Sequence, residues 1–493
     1  MSKKKIVISI ALLFTGILGL YFSANAQKNS SKNPEILNIG LRLELFVDNY
    51  LIDTLINSTL TLHEPIDKGE VLKFDKPWEG QFSAYCTIID DNGLLRLYYR
   101  GGPLDGKDGS SKEYTCYAIS VDGINWVKPK LGIFEFEGSK DNNIVLANSA
   151  PFTHNFSPFL DKNPNADPQQ KYKSLSGLER TGLVAFVSPD GLHWKKLQEE
   201  PVIGPRPHDF DSQNVTFWSE AEKMYVCYFR SWVTYDKRYR AVARTTSKDF
   251  IHWTEPVQMD YGDTPPEQLY TSQTSPYYRA PHIYVSVGAR FMKNRQVISE
   301  EEAQKLNVNP KYFKDCSDAV FMTTRGGNRY NRTFMESFIR PGIGLDNWVS
   351  RSNYPALNIV QTGDKEMSVY LNQDYAQPTA HLHRYTLRID GFASVRAPYK
   401  TGEMITKPLQ FTGDKLLINF STSAAGFVKV EILDLNGDKI EGFELENSAE
   451  IIGNEIERCV SWNGNPDLSK ISNKPVKLRF IMKDADLYSI RFR

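Results

Sequence analysis

SVDGINW at residues 120–126, SPDGLHW at 188–194 and SKDFIHW at 247–253 repeat one pattern. In each, Ser is followed two positions on by Asp and four further on by Trp, and each follows a strand-like run: YTCYAI (114–119), GLVAFV (182–187) or RAVART (240–245). Asp-Gly is a tight-turn dipeptide, and an Asp at that place accepts hydrogen bonds from nearby backbone amides. The pattern therefore reads as a hairpin, with Trp126, Trp194 and Trp253 packing their rings across the sheet. Recurrence means one supersecondary unit used several times. A looser fourth copy is TTRGGNRY (323–330), after DAVFM.

Working outward, a further strand precedes each hairpin: LLRLYYRG (94–101), KYKSLSGL (171–178), MYVCYFRSW (224–232) and HIYVSVGARF (282–291). A fifth pair is MSVYLNQDY (367–375) with HLHRYTLRID (381–390). Five four-stranded units at roughly 70 residues each predict an all-β fold, a five-bladed β-propeller, whose radial closure hides most sheet edges. From about Lys400 the hairpin stops. GFVKVEILDLNGDKIEGFELEN (426–447) and KPVKLRFIMKDADLYSIRFR (474–493) read as short alternating strands. The expected organisation is a signal peptide over 1–26, the propeller over 27–400 and a small β-sandwich over 401–493. SEEEAQKLNV (299–308) reads as a helical surface insertion.

The signal peptide rests on Lys3, Lys4 and Lys5, an apolar run over Ile6–Phe22, and the small residues Ala24 and Ala26. It implies a periplasmic or secreted protein with no membrane insertion after cleavage. Basic and acidic residues number 59 each, and cleavage removes three Lys, leaving the acids three ahead. That excludes the basic excess of a nucleic-acid binder. Cys86, Cys116, Cys227, Cys316 and Cys459 show no CxxC spacing, and no calcium-loop pattern occurs, so the sequence implies no metal and no cofactor. Oligomeric state is not legible.

The SxDGxxW hairpins, the five-blade count and the C-terminal strands resemble the five-bladed propeller glycoside hydrolases, families 32 and 43 and their relatives. The resemblance implies a sugar end bound in a funnel at the propeller axis, with three acidic residues from three blades doing the chemistry. The chain departs from family 32 in lacking its blade-one Asp-Pro-Asn. Blade one opens instead with PWEGQFSAYCTI (77–88).

Residues at or before the start of each blade's innermost strand are expected to line the funnel. These are Glu79 in blade one, His154 and Asn155 in blade two, and His208, Asp211, Gln213 and Asn214 in blade three. Tyr278, Arg279 and His282 follow in blade four, and Glu366 in blade five. Asp211, His208, Glu366 and His154 are the catalytic candidates; Arg279, Asn214, Gln213, Tyr278, His282, Asn155 and Glu79 are the substrate-binding ones. In hydrolysis Asp211 and Glu366 form the carboxylate pair. In elimination from a uronic acid, His208, His154 or Tyr278 is the base, and Arg279, His282 and Asn214 hold the sugar carboxylate. The His, Tyr and Arg content points to an acidic oligosaccharide, uronate or sulfated, as in algal polysaccharides such as ulvan. Three functions are open: a glycoside hydrolase, a lyase or dehydratase forming an unsaturated uronic acid, and a non-catalytic glycan-binding protein.

Overall fold

A computed structural model describes residues 35–493 apart from 103 and 106. The expected signal peptide lies outside the described residues. No described helix is long and apolar enough to cross a membrane.

Five antiparallel sheets follow one another along the chain. Blade one runs Ala84–Asp91, Leu94–Gly101, Tyr114–Ser120 and Ile144–Leu146. Blade two runs Phe159–Leu160, Tyr172–Ser176, Val184–Ser188 and Lys195–Lys196. Blade three runs Val215–Ser219, Met224–Thr234, Arg238–Ser247 and Val257–Gln258. Blade four has a broken inner edge, Leu269–Thr271 and Thr274–Tyr277, before Ala280–Met292 and Cys316–Thr324. Blade five likewise breaks its inner edge into Tyr354–Pro355 and Val360–Gly363, then continues through Glu366–Gln373 and His381–Arg388. Its outermost strand comes from the start of the chain, Ile66–Lys73, paired antiparallel with His381–Arg388. The propeller ring is thus fastened by hydrogen bonds between its first and last strands.

The repeated hairpins join the third and fourth strands of blades one to three. In each, the Ser hydroxyl donates to the Asp carboxylate (2.8–3.0 Å), and that carboxylate accepts the backbone N–H groups two and three residues on. The glycines have a steric reason. Tyr370 of blade five donates to Gly123 O (2.7 Å) and Tyr98 of blade one to Gly191 O (3.0 Å), so each turn is clamped by the neighbouring blade. A Cβ at Gly123 or Gly191 would stand 2.4 or 2.5 Å from the phenol oxygen, at φ of +72° or +78°. The Trp rings are half-buried rather than enclosed; Trp194 packs edge-on against Phe156 at 4.9 Å.

The C-terminal strands do not form a unit of their own. Leu416–Leu433 and Lys477–Phe492 belong to one eight-stranded sheet with Ile52–Ile56, Thr59–Leu62 and Glu44–Leu45. Residues 44–62, expected in the propeller, therefore lie in the other sheet, and its core joins Phe46, Leu51 and Ile52 to Phe420, Val430 and Phe480. A short alternating strand carries no mark of its partner, so the sequence does not show that 44–62 joins the sheet of the strands after 401. The expected insertion contains the helix Glu300–Lys305, opened by a capping box in which Ser299 and Glu302 satisfy each other's backbone N–H.

Candidate functional site

Strand direction fixes where the funnel is. Inner strands leave the mouth and run to the rear, and second strands return, so the mouth collects the starts of inner strands and the ends of second strands. Arg100 and Arg230 occupy equivalent places there, near the ends of the second strands of blades one and three, after the matching pairs Tyr98-Tyr99 and Tyr228-Phe229. The Arg100 guanidinium lies over the Tyr85 ring at 4.6 Å and donates to Phe82 O (2.9 Å), Tyr375 Oη (3.1 Å) and Asn155 Oδ1 (3.3 Å). Arg230 donates to Asp211 Oδ2 (2.9 Å) and His208 O (3.2 Å).

Two more guanidinium groups face the same space. Arg240 lies 4.8 Å from the ring centre of Trp232 and 4.9 Å from those of Tyr270 and Phe291. Arg351 lies 5.2 Å from the ring of Tyr312, 5.6 Å from Tyr270 and 5.9 Å from Tyr375. Among the described residues neither has a carboxylate within 4 Å; their polar partners are Gln268 Oε1 (3.3 Å) and Tyr312 Oη (3.4 Å). Burial, and beyond it the charges of Arg230 and Arg351, pull the Arg240 pKa below its ordinary value. The hydroxyl of Tyr354, a wholly buried residue, also lacks a partner, and burial raises its pKa well above the phenol range.

Between blades one, two and three a carboxylate–imidazole–carboxylate chain reaches the funnel. Buried Glu113 accepts from His154 Nδ1 at 3.0 Å, and His154 Nε2 stands 3.0 Å from Asn155 Nδ2 and 3.6 Å from Asp211 Oδ1. Burial opposes charge on His154, but the nearby carboxylates of Asp211 and Glu113 outweigh it and lift the pKa to about 9. Loss of solvent likewise opposes ionisation of Asp211, although 43% of its side chain is open to the funnel. His154, Arg230 and Arg351 reverse that and hold Asp211 well below the usual carboxylate range. Glu113 is held low in the same way, against burial, by His154 and Arg100. Asp108, Glu113 and His154 offer atoms within 4.8 Å of one another, the spacing of a small cation site, but His154 already shares its proton with Glu113 there.

Of the expected residues, His154, Asn155, Asp211, Gln213 and Asn214 come together at the mouth. Gln213 closes the axis beneath it, donating to Thr87 Oγ1 (3.0 Å) and accepting from Gln273, which itself donates to Pro355 O (2.7 Å). Buried Asn214 keeps an Oδ1 without a partner among the described residues. His208 sits on the rim with its ring exposed, 3.7 Å from Glu179, and meets the site through its backbone carbonyl.

Five expected residues are elsewhere. Tyr278, Arg279 and His282 lie at the turn between inner and second strands of blade four, at the rear, and Glu366 begins the second strand of blade five there. In blades four and five the strands that carry the readable pattern are the second ones, and antiparallel neighbours begin at opposite ends. Arg279 pairs with Glu457 (3.2 Å) and Asp390 (3.5 Å), His282 with Glu44 (3.0 Å), Glu366 with Arg384, and Tyr278 packs on Tyr277. Asp211 and Glu366 are thus separated by the length of a blade, roughly 20 Å for such a strand, and cannot flank one bond. Glu79 is buried inside blade one, bound to Lys128 (2.6 Å) and Tyr99. Arg100, Arg230, Arg240, Arg351 and Glu113 were missed, although LYYRG and CYFRS carry a readable signal: an Arg recurring at one place in two blades.

No protein-family model and no curated protein matches the chain. Solved structures similar to it include a glycoside hydrolase at 11% identity, covering 65% of this chain and 92% of its own with a TM-score of 0.43. A β-1,2-mannobiose phosphorylase from Listeria innocua matches at 10% identity, 65% and 95% coverage and a TM-score of 0.43. The catalytic domain of a GH62 α-L-arabinofuranosidase from Coprinopsis cinerea matches at 10%, 66% and 97%, with a TM-score of 0.41.

Proposed function

We propose that this chain is a carbohydrate-active, glycan-degrading enzyme that works on the end of an acidic oligosaccharide, uronate or sulfated, held in the funnel. One observation carries the reading: four arginines line the mouth, and among the described residues Arg240 and Arg351 have no carboxylate within 4 Å, Arg351 feeling Asp211 and Asp105 only at longer range. Desolvated charge without a partner is costly unless a ligand supplies one. A sugar carboxylate or sulfate is that partner, and the tyrosine faces beside the guanidinium groups suit a pyranose ring.

The charge state of the site favours elimination over hydrolysis. Hydrolysis by two carboxylates needs one of them protonated. Asp211 is held ionised, Glu113 is buried and held low, and Glu366 is at the far end. Elimination needs one base, a proton donor and cations that stabilise the enolate. Asp211 is the base in this reading: the uronate carboxylate takes over Arg230 and Arg351, which weakens their hold on Asp211 and makes it a stronger base, and Asp211 then takes the proton at C5. The C4–O bond breaks, the C4–C5 double bond forms, and the departing oxygen takes its proton from water at the open mouth. Hydrolysis is the second reading, favoured by the exposed Asp108, whose carboxylate stands near the same histidine. Export to the periplasm or medium belongs to the proposal, and a mature protein beginning near Gln27 would support it.

The test is mass spectrometry of uronate-ended oligosaccharides incubated with the protein. Elimination gives a product with the ultraviolet absorbance of a conjugated double bond and no water gained. Cleavage with water gained selects hydrolysis, and binding without any product selects the glycan-binding alternative.

A further inference from the structure

A second cationic surface begins where the funnel ends. Between blades three and four lies a groove of about 1230 Å³, walled by Tyr239, Phe291 and Trp348. Six basic and three acidic side chains line it. The acids are already paired: Glu64 with Arg340 (3.4 Å), and Glu267 and Asp318 with Arg290 (2.8 and 2.5 Å). Lys237, Arg238, Lys293 and Arg295 are exposed and, among the described residues, have no carboxylate within 4 Å. Two acids beside the groove are engaged locally: Asp315 accepts the backbone N–H of Asn294, and Asp236 accepts the hydroxyl of Tyr239.

Groove and funnel are continuous. Arg238 and Arg240 lie on the ring of Trp232 at 4.4 and 4.8 Å, and Arg240 touches both Tyr270 of the mouth and Phe291 of the groove. In a chain of balanced charge, four unanswered cations running outward from an arginine-lined mouth are a track. We infer that this groove binds the further anionic units of the oligosaccharide whose end occupies the funnel, so that the protein selects for polyanionic chains longer than a disaccharide. The inference rests on the acidic-sugar reading of the funnel.

Size-defined heparin oligosaccharides, which carry both uronate and sulfate, are a suitable probe, with affinities measured by titration calorimetry at fixed salt. The hexasaccharide is expected to bind at least about tenfold more tightly than the disaccharide, since several exposed charge contacts add. The variant Lys237→Ala/Arg238→Ala/Lys293→Ala/Arg295→Ala should bring that ratio near one, and Lys293→Glu/Arg295→Glu should bring it lower than the wild-type ratio. Arg351→Ala should weaken both sugars together and keep the ratio. A wild-type ratio near one, or a ratio the groove variants leave intact, overturns the groove while the funnel reading stands. If no member of the series binds the wild type, the acidic-sugar reading fails and the groove with it.

Discussion

The two ends of the propeller axis are built from the same strands and treat charge in opposite ways. At the rear, Arg279 faces Asp390 and Glu457, and His282 and Arg325 both reach Glu44, which links blade four to the eight-stranded sheet. A small cavity of about 140 Å³ is lined by Ile88, Phe159, Val215, Phe217 and Leu357 together with Asp90, Lys162 and Glu220. At the mouth, Arg240 and Arg351 lie on aromatic faces, and among the described residues neither has an acid in direct contact. Paired buried charges are part of the architecture, whereas unpaired ones need a ligand. The contrast separates structural from functional arginines in a chain where both kinds are abundant.

The largest expected effect is at the mouth. Asp211→Asn should lower turnover by about 10²–10⁴, the usual range for a lost acid or base. Arg351→Ala should lower it by about 10²–10³, as for one lost charge-stabilising donor. Rates per folded molecule, with circular dichroism on the same samples, check both. Unchanged turnover in Asp211→Asn would remove the mouth as the seat of chemistry.

At the rear the expected sign is reversed. Arg279→Ala leaves fully buried Asp390 without its cation and should cost about 3 kcal/mol in urea unfolding. Part of that is cushioned by Tyr277, Asn419 and Ser489, which also donate to Asp390. Turnover per folded molecule should hold. A rear variant that folds normally but loses activity would break the distinction between the two ends.

A smaller effect concerns pH. The His154 pKa is raised from 6.5 to about 9 on folding, so its contribution to stability is full below pH 6.5 and is lost as pH rises through about 9. Asp211 and Glu113 shift downward, so theirs is present above the unfolded carboxylate range and is lost in acid. Melting temperature should therefore decline from pH 6.5 to 9 in the wild type and decline less in Glu113→Gln, where the histidine has lost a partner. A wild-type curve flat across that window would contradict the charged histidine. The smallest expected effect is that of His208→Ala, within a few-fold of wild type, because its ring points to solvent and its carbonyl makes the contacts.

The first three blades were legible because Ser, Asp and Trp recur at a turn whose hydrogen bonds need them. Blades four and five were legible as strand pairs, but their inner edges were not. LYTSQTSPY and YPALNIV, their inner edges, are short and interrupted by Pro276 and Pro355, so they show no alternation to read. That one-strand slip moved Tyr278, Arg279, His282 and Glu366 to the wrong end of the axis. His154 and Asp211 were visible as polar groups crowding before a strand. Arg351 was not, since a lone arginine in VSRSNYP looks like any surface loop residue until the ring closes around it. Glu113 was hidden for the same reason: its partner is 41 residues away.

The most direct test of the central claim compares acidic and neutral sugar ends on one protein. Oligosaccharides matched in length, with a uronate or its carboxyl-reduced neutral counterpart at the non-reducing end, should be offered to the wild type and to Arg351→Ala and followed by mass spectrometry. The expected result is conversion of the uronate-ended sugar alone by the wild type, with conversion collapsing in Arg351→Ala. Equal conversion of the neutral sugar, or full activity in Arg351→Ala, would contradict the assignment of the unpaired arginines to an anionic substrate.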